Sequence, residues 1–167
     1  PELELVGDVA DTIEALVLEL KKTPSFDFDL SQQALTRKEM AAELDLYRND
    51  VTKGLIKPQK ALADVQQIYA KEGLLLSDVG AHKMWIARHY HCDVPNGCLI
   101  PNGFCSMGFA LPGAIAASLV EPERKIIGIA GDAGFLMNVQ EMETATRLNS
   151  NITMMIWEDN AYGLIAW

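Results

Sequence analysis

The chain has 167 residues, of which 49% are hydrophobic, and a formal net charge of −9. This apolar share is sufficient for a buried core, whereas the acidic balance argues against nucleic acid as a partner, because nucleic acids select basic surfaces. No apolar run approaches the roughly 20 residues of a membrane span, and no signal peptide opens the sequence. We therefore expect a cytoplasmic protein with no membrane or nucleic-acid partner.

The first part of the chain predicts the end of a preceding domain. Residues 2–6 alternate as in a short strand, and residues 9–20 carry apolar side chains at helical spacing. One strand and one helix cannot bury each other, so we assign residues 1–22 to a domain whose body lies upstream. The chain opens with Pro1 and stops within an apolar run, so we expect it to be a piece of a longer polypeptide.

Residues 23–57 predict a linker that contains a helix. The segment begins with a polar stretch interrupted by Pro24. Met40, Leu44 and Tyr47 then mark a helix of modest amphipathicity. We interpret the whole segment as a linker on the surface of two domains.

Residues 58–167 predict one domain built from alternating helices and short apolar strands. Pro58 suits the first turn of a helix, and Gly73 suits its end. Further helices are predicted at 83–90, 107–120 and 138–148, and buried strands at 74–78, 125–130 and 152–158, with one more short run at Cys98. Fully apolar strands that alternate with helices indicate an α/β fold, with an open, mostly parallel sheet covered by helices on both faces.

Acidic residues and glycines follow three of the predicted strands, in the runs 78–80, 132–134 and 158–160. Ligands bind beyond the carboxyl ends of such strands. Because adjacent parallel strands lie about 4.8 Å apart, Asp132 and Asp159 can share one small ion. Oxygen ligands favour Mg²⁺ or Ca²⁺, and Mg²⁺ completes its coordination with phosphate oxygens and water. The glycines would let backbone N–H groups approach a diphosphate that this metal bridges.

Two other interpretations of the same residues stay open. Gly128, Gly131 and Gly134 resemble a degraded dinucleotide fingerprint, with Asp159 as the ribose-binding acid, although the Gly-x-Gly core is missing. Alternatively, Asp132 caps the following helix and Asp159 lies in an ordinary turn.

A zinc cluster is a separate alternative. Its candidate ligands share no C-x-x-C pair and match no common finger or ribbon spacing; they are His89, His91, Cys92, Cys98 and Cys105. We favour ordinary side chains and reduced thiols at these positions.

The acidic turns resemble a known motif. The run GDAGF at 131–135, followed by EDNAYG at 158–163, is similar to the metal–diphosphate motif of thiamine diphosphate-dependent enzymes. Longer blocks resemble acetolactate synthases, the catabolic type included: SDVGAHKMWIARHY, IPNGFCSMGFALPGAIAASL, PERKIIGIAGDAGFLMNVQEMETATRLNSNI and IWEDNAYGLIAW. ELVGDVADTI at 4–13 is similar to the end of that family's middle domain. The resemblance covers nearly the whole chain.

The resemblance implies a thiamine diphosphate-binding fold that is incomplete at its C-terminus, with thiamine diphosphate and Mg²⁺ as cofactors. It implies metal ligation by the side chains of Asp132 and Asp159 and by the carbonyl of Ala161. Met107 matches the residue that holds the cofactor in a V shape. The implied cofactor contacts are Gly80, His82, Ser106, Met107, Gly131, Asp132, Ala133, Gly134, Asp159 and Tyr162. A requirement for FAD stays open.

The implied reaction is decarboxylation of pyruvate and its condensation with a second 2-keto acid to 2-acetolactate. The resemblance also implies a homo-oligomer, dimer or tetramer, working in branched-chain amino acid or acetoin metabolism. In the family, the activating glutamate lies in the N-terminal domain of a partner subunit, so we assign no catalytic residue to this chain. The alternatives are another thiamine diphosphate-dependent 2-keto acid decarboxylase, or an inactive Mg²⁺-diphosphate-binding module when the chain is taken alone.

Overall fold

The computed structural model of the chain describes residues 4–22, 28–50, 54–69 and 71–166. They fall into two compact units, of which the first ends at Arg37 and the second begins at Lys38. Among the residues that the structure describes, no helix is long and apolar enough to cross a membrane.

The first unit contains helix α1, Val9–Leu20, as the sequence predicts. Asp8 caps it, because its Oδ1 accepts hydrogen bonds from the backbone N–H groups of Ala10 at 2.8 Å and Asp11 at 3.2 Å. The strand predicted at 2–6 is wrong for residues 4–6, which lie in irregular backbone, and residues 1–3 lie outside the described residues. Helix α1 buries none of its residues.

Helix α2, Ser31–Arg48, contains the three residues that predicted a helix in this segment. Of these, Leu44 is buried. The division between the two compact units falls within α2, after Arg37.

The rest of the second unit alternates helices and strands. In chain order its elements are α3 (Pro58–Tyr69), β1 (Leu74–Ser77), α4 (Ala81–His89), β2 (Cys98–Leu99), α5 (Ala110–Val120), β3 (Ile126–Gly131), α6 (Asp132–Met137), α7 (Glu141–Arg147), β4 (Ile152–Trp157) and α8 (Gly163–Ala166).

The strands form one open, wholly parallel sheet in the order β2-β1-β3-β4. Leu76 pairs with Gly128, and Gly131 at the end of β3 pairs with Trp157 at the end of β4. The predicted open parallel sheet is confirmed. Because all strands run the same way, the ends of β1, β3 and β4 meet at one edge, which we call the carboxyl edge.

Helices cover both faces of the sheet. Successive side chains of a strand point to opposite faces, so the apolar residues of β1 and β3 lie on both. On one face, α3 and α4 pack on β1 and β3 through a cluster of buried residues: Leu62, Val65, Leu75, Ile86, Ile127 and Ile129. On the other face, α5 and α7 pack through Leu74, Leu76, Ala114 and Ile126, and through Leu111, Ile115 and Ala145. Burial on both faces explains why β1 and β3 are apolar along their whole length.

Two features differ from the expectation. Strand β4 was predicted to be buried, but its residues are half-buried or exposed, with Ile156 45% exposed, because β4 is an edge strand of the sheet that the described residues form. The helix predicted at 138–148 begins at Glu141, and a separate helix, α6, precedes it. Gly131 before α6 and Gly134 in its first turn concealed this helix in the sequence, because glycines favour turns.

His89 ends α4 in a buried position with no hydrogen-bond partner for either ring nitrogen among the described residues. Its ring stacks on Trp85 with 5.8 Å between centroids, and its Nε2 lies 3.9 Å from Oε1 of Glu43 on α2. The other oxygen of Glu43 accepts a 2.8 Å hydrogen bond from Arg88, which lowers the pKa of Glu43. Burial lowers the pKa of His89.

This lowered pKa predicts a pH dependence of stability. The unfolded chain takes up a proton at His89 near pH 6.5, and the folded chain does so only at lower pH. The free energy of unfolding should therefore fall as the pH is lowered from about 7.5 to 5.5, a range above the ordinary pKa values of Asp and Glu. The measurement is urea unfolding at several pH values in this range.

His89→Phe should keep the stacking on Trp85 and reduce this slope. Part of the slope should remain, because burial also lowers the pKa of His82. His91→Phe is the matched control, since the His91 side chain is exposed, and should leave the slope as it is. Equal slopes in wild type and His89→Phe would contradict the prediction.

Candidate functional site

The carboxyl edge of the sheet gathers the residues that the sequence singled out. Asp132 follows β3 directly as the first residue of α6, and it is half-buried. Asp159 lies two residues beyond the end of β4 and is exposed. Gly131 pairs with Trp157, so Asp132 lies one residue and Asp159 two residues beyond the last paired positions of two neighbouring strands. The structure therefore places both carboxylates at the same edge.

Each of these carboxylates has one oxygen held by the local backbone. Oδ1 of Asp132 accepts from the Ala133 N–H at 2.7 Å, and Oδ1 of Asp159 accepts from the Ala161 N–H at 3.1 Å. Asn160 turns the chain between the latter two with a φ of 55°. Among the described residues, neither Oδ2 takes part in a hydrogen bond or ion pair. One oxygen of each carboxylate is therefore available to a cation.

This donor set fits Mg²⁺ better than zinc. Mg²⁺ commonly takes one or two protein carboxylates and completes its shell with phosphate oxygens and water. Within residues 4–22, 28–50, 54–69 and 71–166, no three His, Cys, Asp or Glu side chains form a group that could hold a metal ion. Of the zinc candidates, His89 stacks on Trp85, whereas Sγ of Cys105 accepts from Nζ of Lys83 at 3.5 Å.

His82 lies buried in the first turn of α4, beside the end of β3. A Cβ atom on Gly131 would lie 3.5 Å from its Nδ1, and the Trp157 ring lies edge-on with 6.4 Å between centroids. Burial lowers the pKa of His82, against the opposing effects of Asp78 and Asp159. Its Nε2 has no hydrogen-bond partner among the described residues. A buried nitrogen without a partner at this position fits a polar ligand at the carboxyl edge.

Asp78, directly after β1, is the residue whose importance the sequence analysis missed. Its side chain is 1% exposed and accepts three backbone hydrogen bonds. Oδ1 accepts from Val79 at 2.7 Å and from Gly108 at 2.9 Å, and Oδ2 accepts from Ala110 at 3.0 Å. The only signal in the sequence is an acid that follows an apolar run, which does not reveal partners some 30 residues away.

Two glycines have a structural reason to lack a side chain. A Cβ atom on Gly134 would lie 3.0 Å from Oδ1 of Asp78, so α6 approaches this carboxylate closely. Gly108 has a φ of +85°, and its Cβ would lie 2.6 Å from Nδ2 of Asn138. That Nδ2 donates a 2.7 Å hydrogen bond to the Gly108 carbonyl. Close packing on Asp78 is thus a structural reason for Gly134, in addition to the approach of a diphosphate that the sequence analysis predicts.

The other predicted cofactor contacts lie on the turns around this edge. Gly80 precedes α4, Ala133 lies in α6, and Met107 is half-buried beside Gly108. Ser106, Ala161 and Tyr162 are exposed.

The turn after β4 approaches the start of α4. A Cβ atom on Gly163 would lie 3.2 Å from Cβ of Ala81 and 3.3 Å from Oδ2 of Asp159. The structure thus brings together the turns after β1, β3 and β4. For Ser106, Met107 and Tyr162 it shows, among the described residues, no hydrogen bond or ring contact with the two aspartates.

A groove at the opposite, amino-terminal edge of the sheet is a weaker candidate. It is lined by residues 67–68, 71–73, 94–95 and 121–125. Its Arg124 donates to the carbonyls of Glu72 at 2.9 Å and Gly73 at 3.1 Å, and pairs with the Glu121 carboxylate at 3.1 Å. The guanidinium of Arg124 thus connects neighbouring loops, and its donors are occupied by protein acceptors.

Comparison with known proteins identifies relatives of the chain. The family model described as thiamine pyrophosphate enzyme, C-terminal TPP binding domain, matches residues 78–167. The catabolic acetolactate synthase of Raoultella terrigena is 35% identical over 166 residues, which cover 99% of this chain and 30% of that protein. The acetolactate synthase of Bacillus subtilis (strain 168) is 31% identical over 169 residues, with 100% of this chain and 29% of that protein covered.

A large-subunit protein is also similar. Acetolactate synthase isozyme 1 large subunit of Escherichia coli (strain K12) is 36% identical over 112 residues, which cover 67% of this chain and 19% of that protein. The chain thus spans at most 30% of the length of these three relatives.

The backbone at Gly108 gives a testable prediction. Gly108→Ala should lower the free energy of unfolding by about 1–3 kcal/mol, because the new Cβ meets Asn138 and a residue with a side chain is strained at this φ. Gly103→Ala is the matched control in the same loop, since nothing lies within 4 Å of its Cβ position, and should change stability by less than about 0.5 kcal/mol. Chemical denaturation measures both, and equal effects would show that the Gly108 turn is not constrained.

Proposed function

Because the chain belongs to the thiamine pyrophosphate-dependent enzymes of the acetolactate synthase family, we propose that it binds thiamine diphosphate through Mg²⁺ in an acetolactate synthase-like enzyme. The proposed reaction is decarboxylation of pyruvate and condensation with a second 2-keto acid to give 2-acetolactate. Since the chain spans 30% or less of the relatives' length, the activity, the substrates and a homo-oligomeric assembly are proposals about the complete protein that carries this sequence.

The observation that supports this function best is the pair of carboxylates after neighbouring strands, each with one oxygen available. Without a cation, Asp132 and Asp159 would repel a diphosphate. Bound Mg²⁺ would remove this repulsion, and Asp132 and Asp159 are the side chains that would hold it next to the diphosphate. The carbonyl of Ala161, in the same turn as Asp159, is the third proposed protein ligand.

His82 is the proposed diphosphate contact from α4. Its Nε2 is buried without a hydrogen-bond partner among the described residues, and its Nδ1 lies 3.5 Å from the position that a Cβ atom on Gly131 would take. Donation from Nε2 to a phosphate oxygen requires a proton on that nitrogen, which one tautomer of the neutral ring carries as well as the protonated ring. The negative charge of a diphosphate would favour the protonated ring and oppose the effect of burial on the pKa of His82. The backbone of residues 131–134 completes the proposed diphosphate site.

The remaining residues orient and surround the proposed cofactor. When bound, thiamine diphosphate supplies the carbon nucleophile for decarboxylation, so the protein's task is to hold and position it. Met107, half-buried ahead of α5, is the proposed support for the bent conformation of the cofactor. Gly80, Ser106 and Tyr162 are proposed as further contacts. We assign the activating carboxylate to a segment of the complete protein outside these 167 residues.

Substitution of the proposed metal ligands tests this function. In the complete protein, Asp132→Asn and Asp159→Asn should each weaken Mg²⁺-dependent binding of thiamine diphosphate by more than about 100-fold, because loss of an outer-sphere partner alone costs about 10- to 100-fold. Acetolactate formation should fall in parallel with this affinity. Calorimetric titration with thiamine diphosphate, with and without EDTA, measures the affinity.

Glu158→Gln is the matched control, since it removes an exposed carboxylate next to Asp159 that the proposal leaves outside the metal site. Its affinity should equal that of wild type. Binding that survives both EDTA and the two aspartate substitutions would remove the basis for the metal site.

A further inference from the structure

We propose that Asp78 is a positioning residue for the cofactor site, an inference that rests on the proposed function. Its carboxylate holds together the backbone segments that carry the proposed cofactor contacts. Asp78 does not itself touch the cofactor in this proposal. It acts through the location of Met107 and of the turn that contains Asp132.

The first argument is the set of hydrogen bonds that the carboxylate accepts. Asp78 is 1% exposed, and its two oxygens accept from three backbone N–H groups, of Val79, Gly108 and Ala110. The latter two precede or open α5, where backbone N–H groups have no carbonyl partner within the helix. Buried N–H groups require acceptors, and this single carboxylate supplies them.

The second argument is the range of elements that meet at this residue. Gly134 brings α6 to within contact of Oδ1, and Asn138, just beyond α6, bonds the carbonyl of Gly108. The end of β1, the start of α5 and helix α6 thus meet at one residue.

The third argument is the placement of the proposed cofactor residues next to these contacts. Met107 directly precedes Gly108, whose N–H binds Asp78. Asp132 lies two residues before Gly134, which packs on the same carboxylate. A shift of this carboxylate would therefore change the separation between the Met107 segment and the metal-binding turn.

The test is Asp78→Asn in the complete protein. Asparagine has nearly the same shape but only one acceptor oxygen, so the N–H groups of Gly108 and Ala110 cannot both keep their partners. We expect the affinity for thiamine diphosphate with Mg²⁺ to fall by about tenfold or more, as for other residues that orient a ligand without touching it. We also expect kcat at saturating cofactor to fall, while the KM for pyruvate stays near the wild-type value.

Ser118→Ala is the matched control for lost stability. Ser118 is buried on α5, the helix that Ala110 opens. Its Oγ donates a 2.7 Å hydrogen bond to the Ile115 carbonyl and none to Asp78. This variant should lower Tm without changing the cofactor affinity. If Asp78→Asn also lowers Tm but keeps wild-type affinity and kcat, Asp78 has only a structural role and the inference is wrong.

Amide hydrogen exchange gives a readout that does not depend on the cofactor. Asp78→Asn should accelerate exchange at the N–H groups of Gly108 and Ala110 relative to the same amides in Ser118→Ala. If Asp78→Asn does not fold, Gly134→Ala crowds the same carboxylate from α6 and should accelerate exchange at those two amides, although Gly134 hydrogen-bonds neither. Unchanged exchange at both positions would overturn the inference.

The outcomes separate this inference from the proposed function. A wild-type protein that does not bind thiamine diphosphate with Mg²⁺ contradicts both. If wild type binds, Asp132→Asn fails to bind and Asp78→Asn binds normally, the proposed function stands and only the role of Asp78 is overturned.

Discussion

The position of β3 between β1 and β4 determines where the three strand-end aspartates lie. Its six residues pair in register with β4 along their full length, and four of them pair with β1. Parallel pairing in this register brings the ends of the three strands to one edge of the sheet. The pairing of the strands alone therefore places Asp78, Asp132 and Asp159 at that edge, independently of the contacts of their side chains.

The acids at this edge have different environments. Asp78 is buried and its charge is met by three backbone N–H groups. Asp132 and Asp159 each use one oxygen on a backbone N–H and leave the other available. The first arrangement fixes the fold around the site, whereas the second leaves negative charge that a cation can balance. This difference is why we assign the metal to Asp132 and Asp159, and a positioning role to Asp78.

Local patterns in the sequence predicted much of this architecture. Apolar runs located the strands, and Pro58 and Gly73 marked the ends of one helix and its turn, because burial and backbone geometry act over a few residues. The same patterns predicted that acids and glycines would gather at the carboxyl edge, since strand ends in a parallel sheet must meet.

Features that depend on distant partners could not be predicted. The partners of the Asp78 carboxylate at Gly108 and Ala110 are 30 and 32 residues away. The packing of Gly134 on Asp78 could not be predicted either, because nothing nearby in the sequence indicates it. The exposure of β4 depends on the absence of a further strand beside it in the described sheet, which its own apolar residues do not report.

A crystal structure of the complete protein with thiamine diphosphate and Mn²⁺ in place of Mg²⁺ tests the central claim most directly, because Mn²⁺ can be located by its anomalous signal. We predict one ion within about 2.0–2.3 Å of oxygens from both Asp132 and Asp159, at a distance typical of small hard cations. The diphosphate should lie against this ion, at the carboxyl edge of the sheet. An ion bound away from these two aspartates, or a diphosphate at the amino-terminal groove beside Arg124, would contradict the account.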